Sequence, residues 1–124
     1  MPKKILVIDD EELVTTSLKN LLKKEGHVVF VAQSYQEAMM MVEENPLDLI
    51  ISDIRMPEKD GIETIQSIRA YLLKNNKKFI PEILITGFAD ESKYKEALAL
   101  DVKAYIKKPF NIKDLLEAVN EILR

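Results

Sequence analysis

Asp9 and Asp10 begin a run of four acids that continues through Glu11 and Glu12. Asp53 follows a separate apolar run, Thr86-Gly87 ends another, and Lys107-Lys108-Pro109-Phe110 ends a third. Carboxylates brought together repel and raise one another's pKa unless a cation lies between them. Their hard oxygens suit Mg²⁺, or a similar small divalent ion such as Mn²⁺. A hydroxyl and an ammonium beside that ion would hold an anion against it. Metal, hydroxyl, ammonium and carboxylate together describe phosphoryl transfer.

The remaining composition narrows the chemistry. No cysteine is present, so disulfides, thiol catalysis and thiolate metal sites are excluded. A single histidine, His27, excludes any site that needs two. The chain has 124 residues, of which 47 % are hydrophobic and 31 % charged, the signature of one globular domain spanning 1–124. The net charge of −3 is unevenly spread: residues 1–62 hold 7 basic and 12 acidic groups, residues 63–124 hold 11 and 9. Mild acidity and the absence of a binding motif argue against direct contact with nucleic acid. No apolar run reaches ~18 residues, and the short apolar stretch after Met1-Pro2-Lys3-Lys4 meets carboxylates at once. Neither a membrane span nor a secretory signal is expected, which places the chain in the cytoplasm.

Five short apolar runs must position these groups: Ile5–Ile8, Val28–Ala32, Leu47–Ser52, Ile83–Thr86 and Ala104–Ile106. Several are continuously apolar, as in strands covered on both faces. Five helical stretches alternate with them. Val14, Leu18, Leu21 and Leu22 share one face, and Gly26 can cap the helix end. Ser34 and Glu37 have capping-box spacing before Ala38, Met41 and Val42. Ile65, Ile68 and Leu72 mark a third helix after Gly61. A fourth is expected to be capped by Asp90, with Tyr94, Ala97 and Leu98 facing inward. Asn111 can cap a fifth, with Leu115, Ala118, Val119 and Ile122 on its apolar face. Five such units predict an α/β, doubly wound, five-stranded parallel sheet with helices on both faces.

In such a sheet ligands bind beyond the carboxyl ends of the strands. Asp9-Asp10, Asp53, Thr86-Gly87 and Lys108 all fall there. Each has a plainer reading alone. Asp9 or Asp10 could cap the first helix, Thr86 suits a strand, and Lys108 could be a surface charge. Asp53 is harder to dismiss, because Met56-Pro57 follows before any helix has begun.

The ordered set resembles the receiver domain of two-component response regulators. It comprises Asp9-Asp10, Asp53 with Met56-Pro57 and Asp60-Gly61, Thr86-Gly87, and Lys108-Pro109-Phe110, in register with all five units. The resemblance implies a flavodoxin-like (βα)5 fold of strand order 2-1-3-4-5. It implies Asp53 as phosphoacceptor, not an enzyme's turnover nucleophile, on a protein that promotes its own phosphorylation and dephosphorylation. It assigns Mg²⁺ to Asp9, Asp10, Asp53 and the backbone carbonyl of Arg55. Thr86 and Lys108 would contact the phosphoryl oxygens, and Lys108-Pro109 would be a cis bond. Arg55 and Phe88 would shield the acyl phosphate. Tyr105 would turn inward as Thr86 moves, altering a face made of the fourth helix, fifth strand and fifth helix. Lys93, Lys95, Lys103, Lys107 and Lys113 lie in or beside that face.

The implied partners are a sensor histidine kinase or phosphotransfer protein, and a downstream protein or output domain. The implied state is a monomer or a phosphorylation-dependent dimer. Two other functions share parts of the pattern: an Mg²⁺-dependent phosphatase with an aspartyl nucleophile, and a flavodoxin-like nucleotide binder. The first has little room here for a substrate cap. The second lacks a Gly-rich loop after the first strand, where four acids would repel phosphate.

Overall fold

The protein is described by a computed structural model covering residues 2–87 and 91–124, with the side chains of Glu91 and Ser92 outside the description. The expected Asp90 cap and the Phe88 shield lie outside the described residues. Strands β1 (Lys4–Ile8), β2 (Val28–Ala32), β3 (Leu49–Asp53), β4 (Glu82–Thr86) and β5 (Ala104–Lys107) alternate with helices. These are α1 (Glu12–Lys24), α2 (Tyr35–Glu44), α3 (Gly61–Lys74), α4 (Glu91–Ala99) and α5 (Ile112–Leu123). All strand pairs are parallel and the order is β2-β1-β3-β4-β5.

The inner strands explain themselves. β3 and β4 are buried along their whole length, and β1 from Ile5 onward. Alternation divides their side chains between two cores. Leu6, Ile8, Ile50 and Leu84 pack toward α2, α3 and α4. Ile5, Val7, Leu49, Ile51, Ile83 and Ile85 pack toward α1 and α5. The third strand begins at Leu49 rather than Leu47 and runs on to Asp53. Asp48 turns the chain into it, its N–H bonding the Lys4 carbonyl and its carboxylate accepting the Lys4 N–H.

The helix ends follow their local chemistry. Gly26, at φ +91°, closes α1: its N–H bonds the Lys23 carbonyl and that of His27 bonds the Leu22 carbonyl. Ser34 accepts the Glu37 N–H, but the Glu37 carboxylate takes the N–H of Gln33, so the expected capping box is only half formed. The complete box stands at Asp60 and Glu63, opening α3. Asn111 caps α5 by accepting the Lys113 N–H. On α4, Ala97 is fully buried, but Tyr94 and Leu98 are 39 % and 46 % exposed, contrary to the inward face expected for them. The helix rests on the small Ala97, which leaves the larger side chains to either side at the margin. Tyr94 instead lies under the Lys107 ammonium, 5.5 Å from its ring centre.

Two features at opposite ends of the sheet carry much of its specificity. Glu82, 1 % exposed at the start of β4, is held by Arg69 of α3 through two bonds of 2.6 and 2.9 Å. Gly61 begins α3 where the chain passes β3, and a Cβ there would lie 2.1 Å from the Asp53 carbonyl oxygen.

Both can be tested by denaturation. Arg69→Met leaves Glu82 buried and unpaired and is expected to cost about 3–5 kcal/mol, whereas Arg69→Met/Glu82→Leu recovers most of it. Gly61→Ala forces α3 away from β3 and is expected to cost about 1–3 kcal/mol, read as a lower urea midpoint at unchanged slope.

Candidate functional site

The winding direction of the sheet reverses between β1 and β3, because β2 lies on one side of β1 and all later strands on the other. The crevice beyond those two carboxyl ends is where an open parallel sheet receives a ligand. Asp53 is the last residue of β3, and Asp9 and Asp10 follow directly on β1. Oxygens of all three carboxylates lie within 4.8 Å of one another. Asp9 and Asp53 are buried, at 1 % and 4 % exposure, while Asp10 is open to solvent.

Lys108 reaches into this group from the end of β5. Its ammonium lies 3.1 Å from Asp53 Oδ2 and 3.8 Å from Asp9 Oδ2. Its backbone N–H bonds the Thr86 carbonyl at 2.8 Å, which continues the β4–β5 ladder one residue beyond the strand. Lys107 therefore faces away and is exposed, as adjacent strand residues must. The Lys108-Pro109 peptide is cis.

One ammonium does not satisfy three acids. Burial pushes the Asp9 carboxyl up to about 6, and the charges of Asp53 and Asp10 push the same way. The Glu11 N–H, which bonds Asp9 Oδ1 at 3.0 Å, and the Lys108 charge oppose this. Partial burial alone would lower the Lys108 pKa, but its hydrogen bond to Asp53 and the charges of Asp53 and Asp9 outweigh it, so the net shift is upward. Asp9 Oδ2 is buried and accepts no hydrogen bond among the described residues. An orphaned carboxylate oxygen among hard donors fits a small divalent cation.

The remaining expected residues fall around this centre. The Arg55 N–H approaches Asp53 Oδ1 at 3.4 Å. Thr86 is 8 % exposed at the end of β4, beside Gly87. A cavity of about 570 Å³ opens over the site, with Asp10, Arg55, Asp60, Thr86, Gly87 and Lys93 in its wall. Tyr105 pairs in register with Leu84, so it shares a sheet face with Thr86 two residues on. Its hydroxyl donates to the Ala97 carbonyl and accepts the Val102 N–H, which ties it to the carboxyl end of α4 and not to Thr86. Asp9 and Asp10 do not cap α1: Glu11 stands at that position without a side-chain bond.

Two parts of this neighbourhood were not anticipated from sequence. Beyond Lys108, a cavity of about 800 Å³ between α1 and the start of α5 is walled by Leu13, Val14, Leu18, Leu21, Phe110 and Ile112. Leu13 and Ile112, 83 % and 56 % exposed, look like ordinary apolar helix positions in the sequence. Lys93 of α4 bonds Asp60 at 2.6 Å across 33 residues, a separation that carries no local signal.

Residues 5–120 match the family model described as the response regulator receiver domain. The chain is 32 % identical to the transcriptional regulatory protein PdtaR of Mycobacterium tuberculosis, over 96 % of this chain and 56 % of PdtaR. It is 34 % identical to the transcriptional regulatory protein CpxR of Escherichia coli K12, over 98 % of this chain and 49 % of CpxR. The chain thus spans about half the length of these curated relatives. Among solved structures, the Vibrio cholerae chemotaxis protein CheY4 superposes with a TM-score of 0.86 at 28 % identity, covering 99 % of this chain and all of that one. A CheY-like receiver domain protein from Methanospirillum hungatei gives 0.86 at 31 % identity, over 99 % and 94 %. With the fold, the strand order and the family model in agreement, the chain belongs to the response regulator receiver domain family of two-component systems.

Proposed function

We propose that residues 1–124 form a phosphorylatable switch in which Asp53 accepts a phosphoryl group from the phosphohistidine of a sensor kinase or phosphotransfer protein. The observation that carries this reading is the Lys108 ammonium 3.1 Å from Asp53 Oδ2, inside a cluster of three carboxylates. An ionised Asp53 oxygen attacks phosphorus. The new O–P bond forms as the P–N bond breaks, and the imidazole leaves with the electron pair. No general base is needed. Lys108 offsets charge on the phosphoryl oxygens, Thr86 donates its hydroxyl to one of them, and the backbone beside Arg55 holds Asp53 in line. Asp9, Asp10, Asp53 and the Arg55 carbonyl would hold Mg²⁺, or Mn²⁺, which supplies further charge neutralisation when bound. Water attacking the acyl phosphate returns Asp53 and limits the signal.

The donor must reach Asp53 over the rim of the site. Leu13, Phe110 and Ile112 beside Lys108 offer that donor an apolar seat. The output passes through Thr86 and Tyr105 to the α4-β5-α5 face, where Lys95, Lys103, Lys107 and Lys113 present positive charge to a downstream protein or output domain. Such a face is switched only by differential affinity, and a full reversal of populations needs about 5.5 kcal/mol. No helix among the described residues is long and apolar enough to cross a membrane. The proposed setting is the cytoplasm, as a monomer or a phosphorylation-dependent dimer without direct contact to nucleic acid.

Incubation with a small acyl-phosphate donor and Mg²⁺ is expected to add one phosphoryl group, read by intact mass. Asp53→Asn is expected to abolish the addition, and normal labelling of that variant would end the assignment. Mg²⁺ at about 100 times its dissociation constant is expected to stabilise the unmodified protein by about 2.7 kcal/mol. Asp10→Asn is expected to raise the thermal midpoint without Mg²⁺, by removing a like charge, and to shrink the rise that Mg²⁺ produces.

A further inference from the structure

Helix α4 has little apolar attachment. Among its described side chains only Ala97 is buried, and Tyr94, Lys95, Glu96, Leu98 and Ala99 are exposed. Apolar burial therefore does not fix its position as it does for α3, which buries Ile62, Ile65, Ile68 and Leu72. Among the described residues polar contacts do this instead, beginning with the Lys107 ammonium over the Tyr94 ring. At the carboxyl end, the Tyr105 hydroxyl bonds the Ala97 carbonyl. Near the amino end, Lys93 Nζ lies 2.6 Å from Asp60 Oδ2.

Asp60 is well placed to be an anchor. Its side chain is 14 % exposed, and its other oxygen, Oδ1, accepts the Glu63 N–H at 2.9 Å in the α3 capping box. Its carbonyl accepts both the N–H and the hydroxyl of the fully buried Thr64, at 2.9 and 2.8 Å. Gly61, the next residue, packs against the backbone of Asp53 and donates its N–H to the Ile54 carbonyl at 2.8 Å. The carboxylate that holds Lys93 is thus rigidly joined to the strand that ends in Asp53. Glu96 also approaches Lys93, at 3.5 Å, but it lies on the same helix and cannot hold that helix to anything else.

We propose that the Asp60–Lys93 ion pair is a latch that sets the position of α4 over the site. Lys93 stands in the wall of the same cavity as Asp10, Thr86 and Gly87. A phosphoryl group on Asp53 brings added negative charge and strong acceptors to that cavity, which compete with Asp60 for the Lys93 ammonium. The latch itself follows from the unmodified structure; its release by phosphorylation rests on the reading of Asp53 as acceptor.

Amide hydrogen exchange separates the two. In the unmodified protein, Lys93→Gln and Asp60→Asn, which keeps a capping oxygen, are each expected to speed exchange of the Glu91–Ala99 amides about two- to fivefold while β1, β3 and β4 stay unchanged. The double variant is expected to match the singles, because each removes the same contact. Raising salt should loosen α4 in the parent protein and do nothing further in Lys93→Gln. Unchanged α4 exchange in Lys93→Gln, or additive effects in the double variant, would overturn the latch. Glu96→Gln is expected to leave α4 exchange as in the parent, and loosening as great as in Lys93→Gln would likewise overturn it. After treatment with the acyl phosphate, intact mass first shows whether Asp53 is modified. In modified protein, faster α4 exchange in the parent and none beyond it in Lys93→Gln supports the release. Unchanged exchange in modified parent protein refutes it. A chain that takes no phosphoryl group refutes the acceptor assignment and the release together, and the exchange of the unmodified variants still decides the latch.

Discussion

Among the described residues, three clustered carboxylates meet one ammonium, that of Lys108, at the carboxyl edge of this sheet, and the surrounding structure is arranged around that imbalance. Lys108 sits 3.1 Å from Asp53 and 3.8 Å from Asp9. It can offset only part of the negative charge of three acids grouped within 4.8 Å. Burial raises the cost further, which is why the Asp9 carboxyl is displaced to about 6. Such a group persists in a stable fold only when the scaffold over-determines it. Here the scaffold is a parallel sheet whose inner strands are apolar on both faces, so the polar groups at their ends have nowhere else to go.

The same sheet holds a third buried acid at its opposite edge, and it differs from Asp9. Glu82 has both oxygens engaged by Arg69. Its charge is matched, its geometry closed, and nothing remains for a ligand. Asp9 has one oxygen held by the Glu11 N–H and one that accepts no hydrogen bond among the described residues. The buried carboxylates of Glu82 and Asp9 thus stand in different states. The satisfied one joins α3 to β4, and the other leaves a buried oxygen without a hydrogen bond among the described residues.

Around the acid cluster the fold changes character from apolar packing to polar attachment. α5 buries Leu115 and Val119, and α3 buries four large side chains, yet among the described side chains of α4 only Ala97 is buried. Tyr105 and Lys93 hold its two ends by hydrogen bond and ion pair. Contacts of this kind are weaker than a packed core and respond to nearby charge, which core contacts do not. An element that moves when charge appears at Asp53 would be drawn from this class.

Much of the architecture was legible in the chain. The five apolar runs announce the five strands, several of them continuously apolar because a strand covered on both faces has no polar side to show. The runs do not tell inner from edge, since the edge strand β2 is as apolar as the others. Gly26 and Asn111 announce helix ends through chemistry that acts within a few residues. The candidate site was legible too, since Asp9, Asp10, Asp53, Thr86 and Lys108 all follow apolar runs, and parallel strands bring their carboxyl ends to one edge. What sequence could not decide depends on distances between remote residues. The inward face read for α4 depended on where that helix comes to rest, and it rests on Ala97. The pairings of Arg69 with Glu82 and Lys93 with Asp60 join residues 13 and 33 apart, and no local pattern marks either. The chain by itself determined which groups stand at the ends of the strands, because hydrophobic periodicity is a local property. Only the tertiary structure decided which charges meet and which oxygen is left over, because electrostatic pairing depends on separations that exist only once the sheet has closed.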